Sequence, residues 1–231
     1  MANVLKKAVS GLFDKMLSTS KVINVNRWEP SSMVEIEVHI PTLKLEKWKT
    51  IHRVKCRVGD LEYRDYTPTS WDFEKGTFKL YVEAGHEGAG SQWAQQIKVG
   101  DEILFGAVHA AQIPSKEGRI LCLIDLSALG HALSLKQLID TDKFPLEVAV
   151  FLHEEYQIPE SLRKENPEFE FLYEENEENS VVLEKWMMSK KMESYESICV
   201  VGNTPMVSLL RKKLKAIPEV EARIFAHGFW S

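Results

Sequence analysis

No run of about 18 apolar residues occurs anywhere in the chain, so the sequence offers no helix to span a bilayer. Cysteine is scarce. Cys56, Cys122 and Cys199 are far apart, odd in number and free of any Cys-x-x-Cys spacing. That excludes a disulfide framework and a zinc or thiol-exchange motif, and the three read as reduced core thiols in a reducing compartment. Positive charge is not in excess either. A net charge of -5 gives no support to a general nucleic-acid binder, which would carry a basic face, although a local basic pocket stays possible. There is no internal repeat and no Gly-x-Gly-x-x-Gly fingerprint. The neighbours His86-Glu87 and His153-Glu154 lack metal-ligand spacing and read as surface pairs, so no metal is expected. At the N-terminus Lys6 and Lys7 precede apolar residues, but Ser10, Asp14 and Lys15 make that segment too polar for a signal-peptide core. A cytoplasmic protein is the plain expectation.

What is present is ordinary for a globular protein: 44% hydrophobic and 27% charged residues in 231. That length allows one large domain or two small ones and can bury a sizeable core. Val4, Leu5, Val9, Leu12, Phe13 and Leu17 recur near helical spacing. They predict an amphipathic helix within residues 1–17, docked on the protein or on a partner subunit. Alternation or β-branched enrichment then predicts strands at 21–27, 33–40, 51–58, 61–67, 77–83 and 102–108. Gly59-Asp60 between two of them is a two-residue hairpin signal. A short helix is expected over 91–97. Six strands with one small helix late in the order predict a six-stranded antiparallel barrel over residues 18–112.

The pattern changes after Pro114. Continuous apolar strands are expected at 119–125, 146–152, 169–172, 197–201 and 222–225, alternating with helical stretches at 127–139, 181–190 and 205–216. Strands buried on both faces and alternating with helices predict a parallel-sheet α/β domain over 113–231. The acidic run from Glu165 to Glu178 reads as a solvated loop around the third of these strands.

Two places in each half carry candidate chemistry. In Tyr63-Arg64-Asp65-Tyr66-Thr67-Pro68, strand alternation puts Arg64 and Tyr66 on one face, with Pro68 ending the strand. A guanidinium that can fork onto a phosphate, beside a ring that can cover an aromatic ligand, suits a nucleotide-like cofactor. The bland reading is an exposed Arg, a packed Tyr and a turn. The turn Gly88-Ala89-Gly90-Ser91 precedes the short helix and is a fair anion site, since glycines let backbone amides approach a ligand closely. Trp93 reads equally well as packing beneath that turn. In the second half, the strand ending at Asp125 is followed by Ser127 as a helix cap. The strand ending in Val201-Gly202-Asn203-Thr204-Pro205 offers Asn203 or Thr204 as the cap of a helix beginning at Pro205. Open helix N-termini at the carboxyl ends of parallel strands are where such sheets bind nucleotides; two capped helices with no ligand are the alternative.

Arg64-x-Tyr66-Thr67 followed by the Gly-rich turn running into Ser91-x-Trp93-Ala94 resembles the siderophore-interacting proteins. These are a branch of the ferredoxin–NADP reductase-like flavoproteins. The resemblance extends over Asp125-x-x-Ala128-Leu129 and the end Gly228-Phe229-Trp230, from about residue 20 to residue 230. The chain departs from the pattern in having Thr69 for a second Arg, Ala84 for a His, and Asn203 for an acidic residue. The resemblance implies one noncovalent FAD, with Arg64, Gly88, Gly90 and Ser91 at its pyrophosphate. Tyr66 would lie over the ring and Thr67 at its reactive edge, as the catalytic pair. It implies that Asp125, Ser127, Gly202, Asn203 and Thr204 line the site for NADPH or NADH, and that Trp230 packs on the flavin ring or in the cleft between domains, with subunit packing as the alternative. The activity implied is transfer of electrons from NAD(P)H through FAD to a ferric siderophore. A reductase for ferredoxin or free flavin, or a non-catalytic scaffold on the same fold, are the alternatives.

Overall fold

The computed structural model describes residues 18–30, 32–40 and 48–230; the helix expected within 1–17 lies outside the described residues. The chain divides into two compact units between Ala111 and Gln112.

The first unit is an antiparallel sheet. Its strands are β1 (Ser18–Trp28), β2 (Met33–His39), β3 (Ile51–Gly59), β4 (Glu62–Tyr66), β5 (Thr69–Asp72), β6 (Thr77–Glu83) and β7 (Glu102–Ala111), in the order β4-β3-β7-β1-β2-β6-β5. Seven strands stand where the sequence predicts six. The additional one, β5, has four residues, follows Pro68, and contains Ser70 with a φ of 50°. It pairs irregularly with β6, through Thr69 to Lys79 and Asp72 to Thr77, so it leaves no regular alternation to read. Alternation elsewhere drives one face inward: Val34, Ile36, Val38, Phe78 and Leu80 are fully buried. Trp48 packs edge-on against Trp71 at 5.4 Å, and Phe78 edge-on against Phe105 at 5.9 Å. Helix α1 (Ala89–Gln96) begins two residues earlier than expected and packs on β3, β4 and β6. The Arg27 guanidinium donates to the carbonyls of Gln95 (3.0 Å) and Ile97 (2.7 Å), a cation at the end of the helix where backbone acceptors are left over.

The second unit is a parallel sheet. It comprises β8 (Arg119–Asp125), α2 (Leu129–Leu138), β9 (Leu146–Phe151), α3 (Glu160–Glu165), β10 (Phe169–Leu172), α4 (Asn179–Met188), β11 (Tyr195–Asn203), α5 (Thr204–Ala216) and β12 (Arg223–Trp230). The order is β10-β9-β8-β11-β12, every pair parallel. The chain therefore reverses its direction of travel across the sheet between β8 and β11. On one face Leu121, Leu123, Ile198 and Val200 pack with Leu183, Met187, Met206 and Leu210. Cys122 and Cys199 sit opposite each other on β8 and β11, and all three cysteines are free and buried. Several local expectations change, among them the unexpected helix α3 and two at the strand ends of the candidate site. The helix expected from Ser127 begins at Leu129, after a 3-10 turn at Leu126–Ala128. The final strand, expected over 222–225, runs on to Trp230, because pairing with β11 continues through Val201–His227 and Gly202–Gly228.

Candidate functional site

In the first unit, strand alternation does bring Arg64 and Tyr66 to one face, directly over the start of α1. A Cβ added at Gly90 would stand 2.7 Å from the Tyr66 hydroxyl and 3.3 Å from Arg64 Cγ. Only a glycine there allows both side chains so close to the first helical turn. Gly88 precedes the turn with a φ of 149°, a conformation that L side chains rarely adopt. The turn itself carries no side-chain cap and no acidic residue, so its leading amides face outward with the positive end of the helix dipole. Arg64 is exposed and donates one hydrogen bond, to the Tyr63 carbonyl at 2.8 Å, which leaves the rest of its planar fork available. Uncapped amides beneath an exposed guanidinium fit a phosphate group.

Tyr66 and Trp93 stack with ring centroids 5.6 Å apart and planes 21° apart, so one face of each ring is already covered. Burial pushes the Tyr66 hydroxyl pKa up, and the phenol stays protonated as a donor at neutral pH. Ser91 is 1% exposed and its Oγ lies 3.0 Å from His86 Nδ1. It stiffens the turn from behind and does not cap the helix. Thr67 falls just past the end of β4 and is 9% exposed, leaving little of it for a ligand.

In the second unit the expected residues converge at the carboxyl ends of β8 and β11. The buried Asp125 carboxylate accepts from the Asn203 backbone N–H at 2.6 Å and from the Ser127 hydroxyl at 2.5 Å. It ties the two central strand ends together and takes up the hydroxyl that would otherwise cap α2. Gly202, with a φ of 136°, sits against it; a Cβ there would stand 2.5 Å from the carboxylate. The Asn203 side chain caps α5, accepting from Met206 N at 3.2 Å, with Pro205 in the first turn as expected. Thr204 instead opens the helix, and its Oγ1 would be 2.5 Å from a Cβ at Gly228, which holds β12 close to the helix start. The Trp230 indole N–H donates to Ser127 Oγ at 3.0 Å. Two helix starts therefore stand side by side at the point where strand order reverses, the crevice in which open α/β sheets take their ligands.

No family model matches the chain, and no curated protein matches its sequence. Solved structures do match its fold. The siderophore-interacting protein of Acinetobacter baumannii superposes with a TM-score of 0.72 at 16% identity, over 93% of this chain and 89% of that one. SipS, the siderophore-interacting protein of Aeromonas hydrophila, does so with a TM-score of 0.72 at 14% identity, over 93% and 91%. A ferredoxin NADP+ reductase of Neisseria gonorrhoeae, solved with bound FAD and NADP, gives 0.68 at 15% identity, over 93% and 99%. The fold is that of the siderophore-interacting proteins and ferredoxin–NADP reductases.

On this reductase fold, some contacts have no counterpart in the sequence reading. His86 is exposed, as expected of a surface residue, and its Nδ1 also contacts Ser91 Oγ. Asp125 was expected to line a ligand site, whereas its carboxylate is engaged within the protein. Trp230 keeps 44% of its surface exposed while its nitrogen is fixed by Ser127, so the ring is held at a set orientation with a face still accessible.

Proposed function

We propose that this chain is an FAD-dependent reductase that passes electrons from a nicotinamide nucleotide to a ferric siderophore. In this reading residues 18–112 form the FAD-binding domain and 113–231 the NAD(P)H-binding domain. The observation that carries it is the convergence of Arg64 and Tyr66 over the uncapped, glycine-bounded first turn of α1. Arg64 and the amides around Gly88 and Gly90 would hold the pyrophosphate. The face of Tyr66 away from Trp93 would pack on the isoalloxazine ring, with Trp93 backing it. Bound FAD would supply two-electron acceptance and one-electron release, which a ferric acceptor requires. Asp125 acts as a positioning residue: it fixes the Asn203 backbone and Ser127, and through Ser127 the Trp230 ring. Gly202, Asn203 and Thr204 would present the start of α5 to the dinucleotide. As substrate, a ferric chelate with hard oxygen donors loses its grip on iron once the metal is reduced. The described residues include no helix long and apolar enough to cross a membrane, and a cytoplasmic location suits a nicotinamide-dependent reaction.

The full-length match to a ferredoxin NADP+ reductase supports a second reading, in which the electron partner is a ferredoxin. Anaerobic stopped-flow absorbance at the flavin band separates the two. NADH or NADPH should bleach the flavin, and ferric siderophore should restore its colour faster than oxidised ferredoxin or free FMN does. Bleaching by reduced ferredoxin alone would overturn the nicotinamide donor, and colourless protein that takes up no FAD would overturn the flavoenzyme reading.

A further inference from the structure

The ends of β9, β10 and β11 border a cavity of about 730 Å³ at the carboxyl edge of the parallel sheet, beside the starts of α4 and α5. Its apolar wall includes Tyr173 and Leu209, two of the large hydrophobic side chains exposed among the described residues, at 43% and 40%. A flat, partly exposed ring in a concave wall suits a planar base. The lining also carries four carboxylates, Glu174, Glu175, Glu177 and Glu178, among neutral polar and apolar side chains. Lys185 lies 2.8 Å from Glu174 and 3.7 Å from Glu177, so those two carboxylates are partly neutralised. Glu175 and Glu178 make no ion pair among the described residues. His153 also lines the cavity, and its imidazole is engaged by Glu154 at 3.4 Å and by the Tyr156 hydroxyl at 3.1 Å.

We infer that this cavity receives the adenosine end of the nicotinamide donor and selects NADH over NADPH. The inference rests on the proposed nicotinamide-dependent function and names the donor. The two nucleotides differ only at the adenosine 2′ position. A 2′-hydroxyl donates to a carboxylate, the arrangement by which acidic residues at such sheet edges recognise NAD. A 2′-phosphate, with roughly -1.5 to -2 charges, needs Arg or Lys partners and is repelled by uncompensated carboxylates. Lys185 is no such partner, being bridged between two of the glutamates.

Calorimetric titration of the full chain with ADP-ribose and with 2′-phospho-ADP-ribose tests this without any redox step. The unphosphorylated probe should bind at least about tenfold more tightly at low salt, with the gap narrowing as ionic strength screens the repulsion. The double variant E175K/E178K should lose most of that preference. Tighter or equal binding of the phosphorylated probe, or an unchanged preference in the variant, would overturn the selectivity while leaving a nicotinamide donor in place. Binding of neither probe would overturn the donor reading as well.

Discussion

At the scale of single residues, Arg64 and Gly90 bear the largest share of the proposed flavin site. Arg64 is exposed and makes one hydrogen bond among the described residues, so removing it should leave the fold intact and act on the ligand alone. Arg64→Ala should weaken FAD binding by about tenfold or more, as expected for a lost charge-assisted fork, with Arg64→Lys in between. Quenching of flavin fluorescence on titration measures it, and unchanged affinity in Arg64→Ala would remove Arg64 from the site. Gly90→Ala acts differently. Its methyl would meet the Tyr66 hydroxyl at 2.7 Å, so the ring must shift off its stack with Trp93. We expect a stability loss of about 1–2 kcal/mol and weaker FAD binding together. A Gly90→Ala variant with wild-type urea midpoint and wild-type FAD affinity would show that the close approach is unimportant.

At the scale of elements, the paired ends of β8 and β11 make a ranked prediction. Gly202→Ala combines a φ of 136° with a methyl pressed 2.5 Å from the Asp125 carboxylate. It should cost about 2 kcal/mol or more. Asn203→Ala removes one cap hydrogen bond from α5 and should cost about 1 kcal/mol. Urea unfolding monitored by circular dichroism ranks them, and a larger loss for Asn203→Ala would contradict the proposed clasp. At the other end of the sheet, Glu147 on β9 accepts from Lys190 and from the Tyr195 hydroxyl, both at 2.6 Å, with Arg119 at 3.1 Å. Partial burial alone would push its pKa up, but the bonds from Lys190 and Tyr195 outweigh it and hold the carboxyl below its ordinary value. A carboxyl depressed in the folded state stabilises the protein above its unfolded pKa, near 4.3 by the ordinary value, and loses that contribution as pH falls through the folded one. Glu147→Gln should therefore lower stability by about 1 kcal/mol at pH 7 and show less further loss between about pH 4.5 and 3 than the parent. Parallel acid-side losses in parent and variant would rule Glu147 out as a contributor.

At the scale of the whole molecule, FAD at a hundredfold excess over its dissociation constant should add about 2.7 kcal/mol and raise the melting temperature by roughly 5–10 °C. Scanning calorimetry with and without FAD checks this; no shift would favour a flavin-free scaffold. Much of the architecture could be read from the sequence because side-chain periodicity is local. An apolar run marks β8 and β10 to the residue, the change of pattern after Pro114 separates antiparallel from parallel strands, and strict alternation places Arg64 with Tyr66 on one face. Periodicity reports which face of a strand is buried but not which strand lies beside it. The order β10-β9-β8-β11-β12 came only with the tertiary structure. So did the bond from Asn203 to Asp125 across 78 residues, the bond from Trp230 to Ser127 across 103, and the close fit of Gly228 on Thr204. The sequence by itself determined the elements and the residue types at their ends. Because hydrogen bonds between strand ends require those ends to be neighbours, only the folded sheet decided that Asp125 would bind its own protein and that Glu175 and Glu178 would face a cavity.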